Sequence, residues 1–158
     1  MPLDTAAFRA SLSRFASGVT VLTTRSAEGQ DLGMTATAFS SLSLDPPLVL
    51  VCIDHAASMA PALERATHLA VHVLGADQEA VSRRFALNTG DRFAGLAVTR
   101  GAGDLPLLPG ALVRLECRIV ERHSGGDHRI VVCEVLAAAV ADGDPLLYFR
   151  GRYTRLAP

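Results

Sequence analysis

Lysine is missing from this chain: all 15 of its basic residues are arginine. That excludes Schiff-base chemistry on a lysine amine and a P-loop lysine together. Cysteine is scarce. Cys52, Cys117 and Cys133 each lie inside an apolar run, with no CxxC spacing. An odd number of buried thiols fits a reducing cytoplasm better than a disulfide framework, so a cytoplasmic protein is expected. Long apolar runs are missing too. Leu48–Ile53 and Val135–Ala141 are the longest, far short of the roughly 20 residues of a membrane span. The start, Met1-Pro2-Leu3-Asp4, has no basic head or apolar h-region, so export is not expected. With 15 basic residues against 16 acidic the formal net charge is −1. Neither a nucleic acid nor an anionic membrane is an expected partner, since both need clustered positive charge. The chain also lacks a GxSxG elbow, an HExxH pair, Cys or His at metal-ligand spacing, and a GxGxxG after a strand, so no metal site is expected.

What is present reads as one globular domain over residues 1–158, with 49% apolar and 20% charged residues. A chain this long buries about two-thirds of its unfolded surface and needs no staple. Phe8, Leu12 and Phe15 form the stripe of a helix over residues 5–16, with Thr5 as its cap and Gly18 as its stop. Residues 18–24 read as a strand, 27–30 as a turn, and 31–44 as a long extended stretch that Asp45-Pro46-Pro47 ends. Leu48–Ile53 is a buried strand. Ser58 caps a short helix, His68–Leu74 alternates as a half-buried strand, and Asp77 caps a helix over 78–87 that turns Val81, Phe85 and Leu87 inward. Residues 88–110 read as a long loop of the kind that covers a site. Residues 111–123 and 129–140 form a hairpin around Ser124-Gly125-Gly126-Asp127-His128. Short strands at 146–149 and Tyr153 follow. With six or seven strands, about three helices and no βαβ alternation, the pattern is a mainly β, mostly antiparallel barrel with helices at its rim.

Four places carry chemical interest. The stretch from Gly33 to Ser43 is rich in small and hydroxylated residues, which lets a flat ligand approach the backbone, or makes the polar face of an ordinary strand. Ser58, at a helix start after a buried strand, is either a cap or a phosphate site. Arg84 and Phe85 supply a charge and a stacking edge, or equally a solvated arginine and a core ring. In Gly126-Asp127-His128 the turn explains the first two residues but not the imidazole. His68 and His72 share one strand face, read as polar and solvated.

Taken together these segments resemble the flavin reductase family, the small NAD(P)H:flavin oxidoreductases that serve two-component monooxygenases. The likeness runs through Phe15–Thr24, Gly33–Leu50, Val73-Leu74, Phe85, Leu115-Glu116-Cys117, Gly126-Asp127-His128 and Pro145–Gly151. It implies a split β-barrel of the antiparallel Greek-key FMN-binding type, normally a homodimer. By that likeness Met34, Thr35, Ala36, Thr37, Ala38, Phe39, Ser40 and Ser41 lie along the flavin ring and ribityl chain. Cys52, Ile53, Asp54 and Ser58 hold the far side and the phosphate, joined by Arg84 and Phe85. His128, with Tyr148, Phe149, Arg150 and Gly151, receives the nicotinamide. The resemblance further implies FMN or FAD, NADH or NADPH, hydride transfer to flavin N5, and reduced flavin diffusing to a partner monooxygenase. One departure stands out, Cys133 where the family strand usually carries glycine. The rival readings are a split-barrel oxidase or deazaflavin reductase, and a non-catalytic flavin- or haem-binding module.

Overall fold

The extended stretch read over residues 31–44 breaks at Thr37 and Ala38, and that break sets the outline of the main sheet. The computed structural model describes residues 1–158. On either side of the break lie β3 (Asp31–Ala36) and β4 (Phe39–Leu44). With β1 (Ser17–Gly18), β2 (Thr20–Arg25), β5 (Pro47–Asp54), β6 (His68–Val73), β7 (Thr99–Arg100), β8 (Pro106–Leu107), β9 (Val113–Gly125) and β10 (His128–Val140), strand outweighs helix along the chain. The main sheet is antiparallel throughout, with order β3-β2-β6-β9-β10-β5-β4. Its two outer strands are therefore sequential and joined by two residues. The Ala38 carbonyl accepts a hydrogen bond from the Cys52 amide at 3.0 Å, which pins this link to β5.

A small sheet joins β1 to β11 (Leu147–Phe149) and β12 (Arg152–Thr154), and β7 pairs with β8. Three short helices, α1 (Thr5–Leu12), α2 (Ala60–Leu63) and α3 (Glu79–Ala86), complete the chain. None is long and apolar enough to cross a membrane.

The core follows from side-chain alternation. On β5, Val49, Val51 and Ile53 point into an aliphatic core with Leu22, Leu69, Val71 and Val131, while Leu48, Leu50 and Cys52 point the other way. Strand β2 is buried on both faces, because Leu22 packs into that core and Val21 into a second cluster with Phe85, Leu74 and Leu146. Cys133 stands between Val49 and Ile119 in the main core, so the departure from glycine is accommodated by packing. Burial pushes both the Cys133 and Cys117 thiols up to about 12, too high for either to react as a thiolate.

Several local expectations are corrected. Helix α1 is capped by Asp4, which accepts from the Ala7 amide, and ends at Ser13 rather than running to Gly18. Its stripe does not enter the core: Phe8, Leu12 and Phe15 are exposed. Neither Ser58 nor Asp77 is a helix cap, since Met59 and Gln78 hold those positions without a side-chain bond. Leu87 is exposed, lying beyond the end of α3. The long loop is partly core, with Leu105, Leu107 and Leu108 buried.

His72 departs furthest from expectation. It is fully buried, because the segment around β8 lies over its face of the sheet. The Leu108 amide can only donate, so Nε2 accepts at 3.0 Å, and Nδ1–H donates to the Val21 carbonyl at 3.0 Å. Both ring nitrogens are thus satisfied in the neutral form. Desolvation lowers the pKa from 6.5 to about 4.

Candidate functional site

A cleft of about 700 Å³ opens beside the β3–β4 link. Its walls come from the end of α1 and the chain after it (Leu12, Phe15, Ser17, Gly18), from the link and the start of β4 (Thr37, Ala38, Phe39, Ser40), and from β5 (Leu50, Cys52). The alternation that sends Ile53 into the core sends Leu50 and Cys52 into this cleft. Thr20 also lines it, and its hydroxyl donates to the Ala36 carbonyl at 2.6 Å, fastening the end of β3.

The cleft fits a flat heterocycle. Broad apolar faces (Phe15, Phe39, Leu50) alternate with short hydroxylated ones (Ser17, Thr37, Ser40). Such a mixture buries a ring while offering hydrogen bonds at its edge. Gly18 matters most for access: a Cβ built there meets no atom within 4 Å, so any side chain would project into open space. Gly18→Val, favoured on a strand, is therefore expected to leave thermal stability nearly unchanged. It should weaken binding of a planar ligand by about tenfold or more, as overfilling does. Melting curves beside a flavin titration check both halves.

The structure gathers Thr37, Ala38, Phe39, Ser40 and Cys52 around the cleft and places the other expected residues elsewhere. Met34 packs against the core and Ala36 is buried. The Thr35 hydroxyl is committed to the Ser82 carbonyl at 2.6 Å, tying β3 to α3. Ser41 is exposed on β4. Ile53 is in the core, so its side chain faces no ligand. Asp54 accepts from the Ala56 amide at 2.8 Å and holds its own turn. Phe85 is 1% exposed and stacks edge-on with Phe93, so the stacking-edge reading gives way to the core reading. The Arg84 guanidinium is bonded to the Ala94 carbonyl.

His128 and Tyr148–Gly151 are not among the residues that line the cleft. His128 pairs with Asp54 at the end of β5, and Tyr148 pairs with Ser17 in the small sheet. Tyr148 packs edge-on against Tyr153, and the Arg150 amide donates to the Ser13 carbonyl at 2.9 Å. His128 is half-exposed, and its Nδ1–H donates to the Asp127 carboxylate at 2.6 Å, leaving Nε2 free. That bond holds the Asp127 carboxyl below its usual range.

Missed by sequence reasoning were Leu12, Phe15, Ser17, Gly18, Thr20, Leu50 and Val73 in the cleft, and Arg92 in a recess beyond Gly33. No sequence signal marked Leu12 and Phe15, because an apolar helical stripe reads as core, and only the fold shows it exposed.

Residues 12–157 match the family described as the flavin reductase like domain. The chain belongs to that family. Among its relatives, this flavin reductase family member is similar to the FMN reductase (NADH) SmoA of Agrobacterium fabrum, 47% identical over 150 residues, covering 95% of this chain and 85% of that one. It is 46% identical over 151 residues to the reductase component of 4-hydroxyphenylacetate 3-monooxygenase from Thermus thermophilus, with 95% of each covered. The solved NADH:FAD oxidoreductase SgcE6 of Streptomyces globisporus, in complex with NAD and FAD fragments, superposes with a TM-score of 0.92 at 38% identity, covering 98% of this chain and 94% of that one.

Proposed function

We propose that residues 1–158 form one NAD(P)H:flavin oxidoreductase domain that supplies reduced flavin to a partner monooxygenase. The observation that carries this reading is the cleft beside Thr37–Ser40, an apolar slot edged with hydroxyls and floored by Gly18. When both are bound, the nicotinamide donates a hydride and the flavin accepts it at N5, so the difficult chemistry belongs to the cofactors. The chain's own work is to hold two flat rings at reacting distance and to keep water from the slot. Thr37 and Ser40 meet the ring edge, and Leu50, Phe39 and Phe15 cover its faces. The printed names of the relatives, FMN reductase (NADH) and a monooxygenase reductase component, support the same assignment.

In this reading the sheet closes as a split barrel of the Greek-key type, the link at Thr37-Ala38 bringing its outer strands together. A homodimer brings the nicotinamide-binding residues, His128 and Tyr148–Gly151, to the cleft. Exposed apolar side chains at Phe15, Leu42, Leu44, Leu136 and Val140 supply the surface for that association. Sedimentation at micromolar concentration should show a species of twice the chain mass.

The direct test mixes purified protein with NADH and FMN and follows loss of the NADH absorbance, then repeats it with FAD and with NADPH. Turnover supports an oxidoreductase; none with any pair supports a binding module. With Nδ1 tied to Asp127, the Nε2 of His128 orients the incoming nicotinamide. His128→Ala is expected to lower kcat/KM for NADH by about tenfold, the value of one oriented hydrogen bond. Unchanged kcat and KM would remove His128 from the site.

A further inference from the structure

We propose that Tyr153 is a positioning residue for hydride transfer. Through Ser82 it fastens the β11–β12 hairpin to β3, the strand that leads into the cleft, and so sets how closely nicotinamide and flavin approach. This rests on the reading above that brings Tyr148–Gly151 to the nicotinamide and the flavin to the cleft. Ser82 lies inside α3 and is fully buried. Its Oγ is hydrogen-bonded to the Tyr153 Oη at 2.7 Å, and its carbonyl accepts from the Thr35 hydroxyl at 2.6 Å. One serine thus holds β12 by its side chain and β3 by its main chain. Thr35 stands two residues before Thr37, which lines the cleft. At the other end Tyr153 pairs across the hairpin with Tyr148.

Packing and hydrogen bonding divide the work. The Tyr153 ring is held by contacts that need no hydroxyl. Tyr148 meets it edge-on with centroids 5.3 Å apart, and the Arg83 guanidinium lies over it at 4.8 Å. Arg83 is itself held by Glu79 at 2.6 and 2.9 Å. Both tyrosines also pack against the cluster around Val21, Leu74 and Phe85. Apolar contact is non-directional, so it holds the hairpin down without fixing its tilt over that cluster. A hydrogen bond is directional and weakens steeply when bent. Main-chain pairing to β1 fastens only the β11 side, through Ser17 and Gly18. On the outer side the Ser82 bond is the only side-chain hydrogen bond that β12 makes.

The helical setting confines the effect of losing this bond to placement. A helical serine deprived of its partner can turn its hydroxyl to the carbonyl four residues back, here that of Gln78. Removing the tyrosine hydroxyl therefore strands no buried polar group.

The test uses Tyr153→Phe, Ser82→Ala and the double variant. Each single change should lower kcat/KM for NADH about fivefold or more, as losing one hydrogen bond does. Flavin affinity, read by quenching of flavin fluorescence, should stay within about twofold. The double variant should be no worse than either single one, because both remove the same bond. With NADH deuterated at the transferred position, the isotope effect on kcat/KM should rise, since a poorer approach slows the hydride step. A role confined to stability would not move it. An unchanged kcat/KM or isotope effect in a folded variant overturns the assignment. So do losses that multiply in the double variant, or an equal fall in flavin affinity. Melting curves show which variants fold: if one single variant fails, the other decides, and failure of both makes the bond structural and overturns the proposal. An unmodified protein that oxidises neither NADH nor NADPH with either flavin overturns the oxidoreductase reading itself.

Discussion

Phe85→Ala is expected to lower the unfolding free energy by about 3–5 kcal/mol, the usual cost of emptying a core aromatic site. The ring is 1% exposed and joins Val19, Val21, Leu74, Leu108 and Leu146 in the cluster that binds α3 to the sheet. Its edge also lies directly over Gly33, where an added Cβ would stand 2.7 Å from the ring and 3.2 Å from the Leu22 carbonyl. Neither the buried ring nor the backbone can yield cheaply, so Gly33→Ala is expected to cost about 1–3 kcal/mol as overpacking. The two changes act on one space. Combined, they should cost less than the sum of the single variants, because the new methyl enters the cavity left by the ring. Denaturant melts of the four proteins measure this coupling. Strict additivity would mean that Gly33 is not held small by Phe85.

The second large effect is on pH. His72 has a pKa of about 4 in the folded chain against 6.5 in the unfolded one. Between those values the unfolded chain binds a proton that the folded one refuses. Stability is therefore fully present above about pH 6.5, falls as the pH drops towards 4, and falls no further on this account below that. A difference of this size corresponds to about 3 kcal/mol. Desolvation is the main cause, with Arg114 adding to it, while the bond to Val21 and the charge of Glu116 act the other way. Protonation at Nε2 would also break the bond that the Leu108 amide donates. His72→Gln should flatten the stability curve between pH 4 and 6.5. Chemical denaturation at several pH values compares the slopes, and equal slopes for the two proteins would mean that His72 is not the group responsible.

Much of the local structure was legible because it depends on neighbours in sequence. The β9–β10 hairpin follows from long β-rich runs meeting at Gly126-Asp127, with Gly126 at φ +70°. The break at Asp45-Pro46-Pro47 lies between β4 and β5. The site was legible only in part. Thr37, Ala38 and Ser40 stood out by their small and hydroxylated side chains, whereas Cys52 entered the site only through the family likeness. Cys52 and Ile53 were assigned together, yet a strand turns consecutive residues to opposite faces, and only the depth of the core on each side shows which one meets the cleft. Phe85 read equally as ring edge or core, and the packing of Phe93 and Gly33 against it decided the matter.

Composition and pattern by themselves determined a mainly β chain with short helices, the turns at residues 27–30, 45–47 and 124–128, and the segments that mark its family, because each depends on residues adjacent along the chain. Only the tertiary structure decided that His72 is enclosed, that Gly18 and Phe15 border the cleft, and that Arg92 rather than Arg84 reaches Ser58. Those contacts join residues tens of positions apart, and which of them form depends on how sheet, loop and helix pack together, a choice made by the whole core and not by any short stretch of sequence.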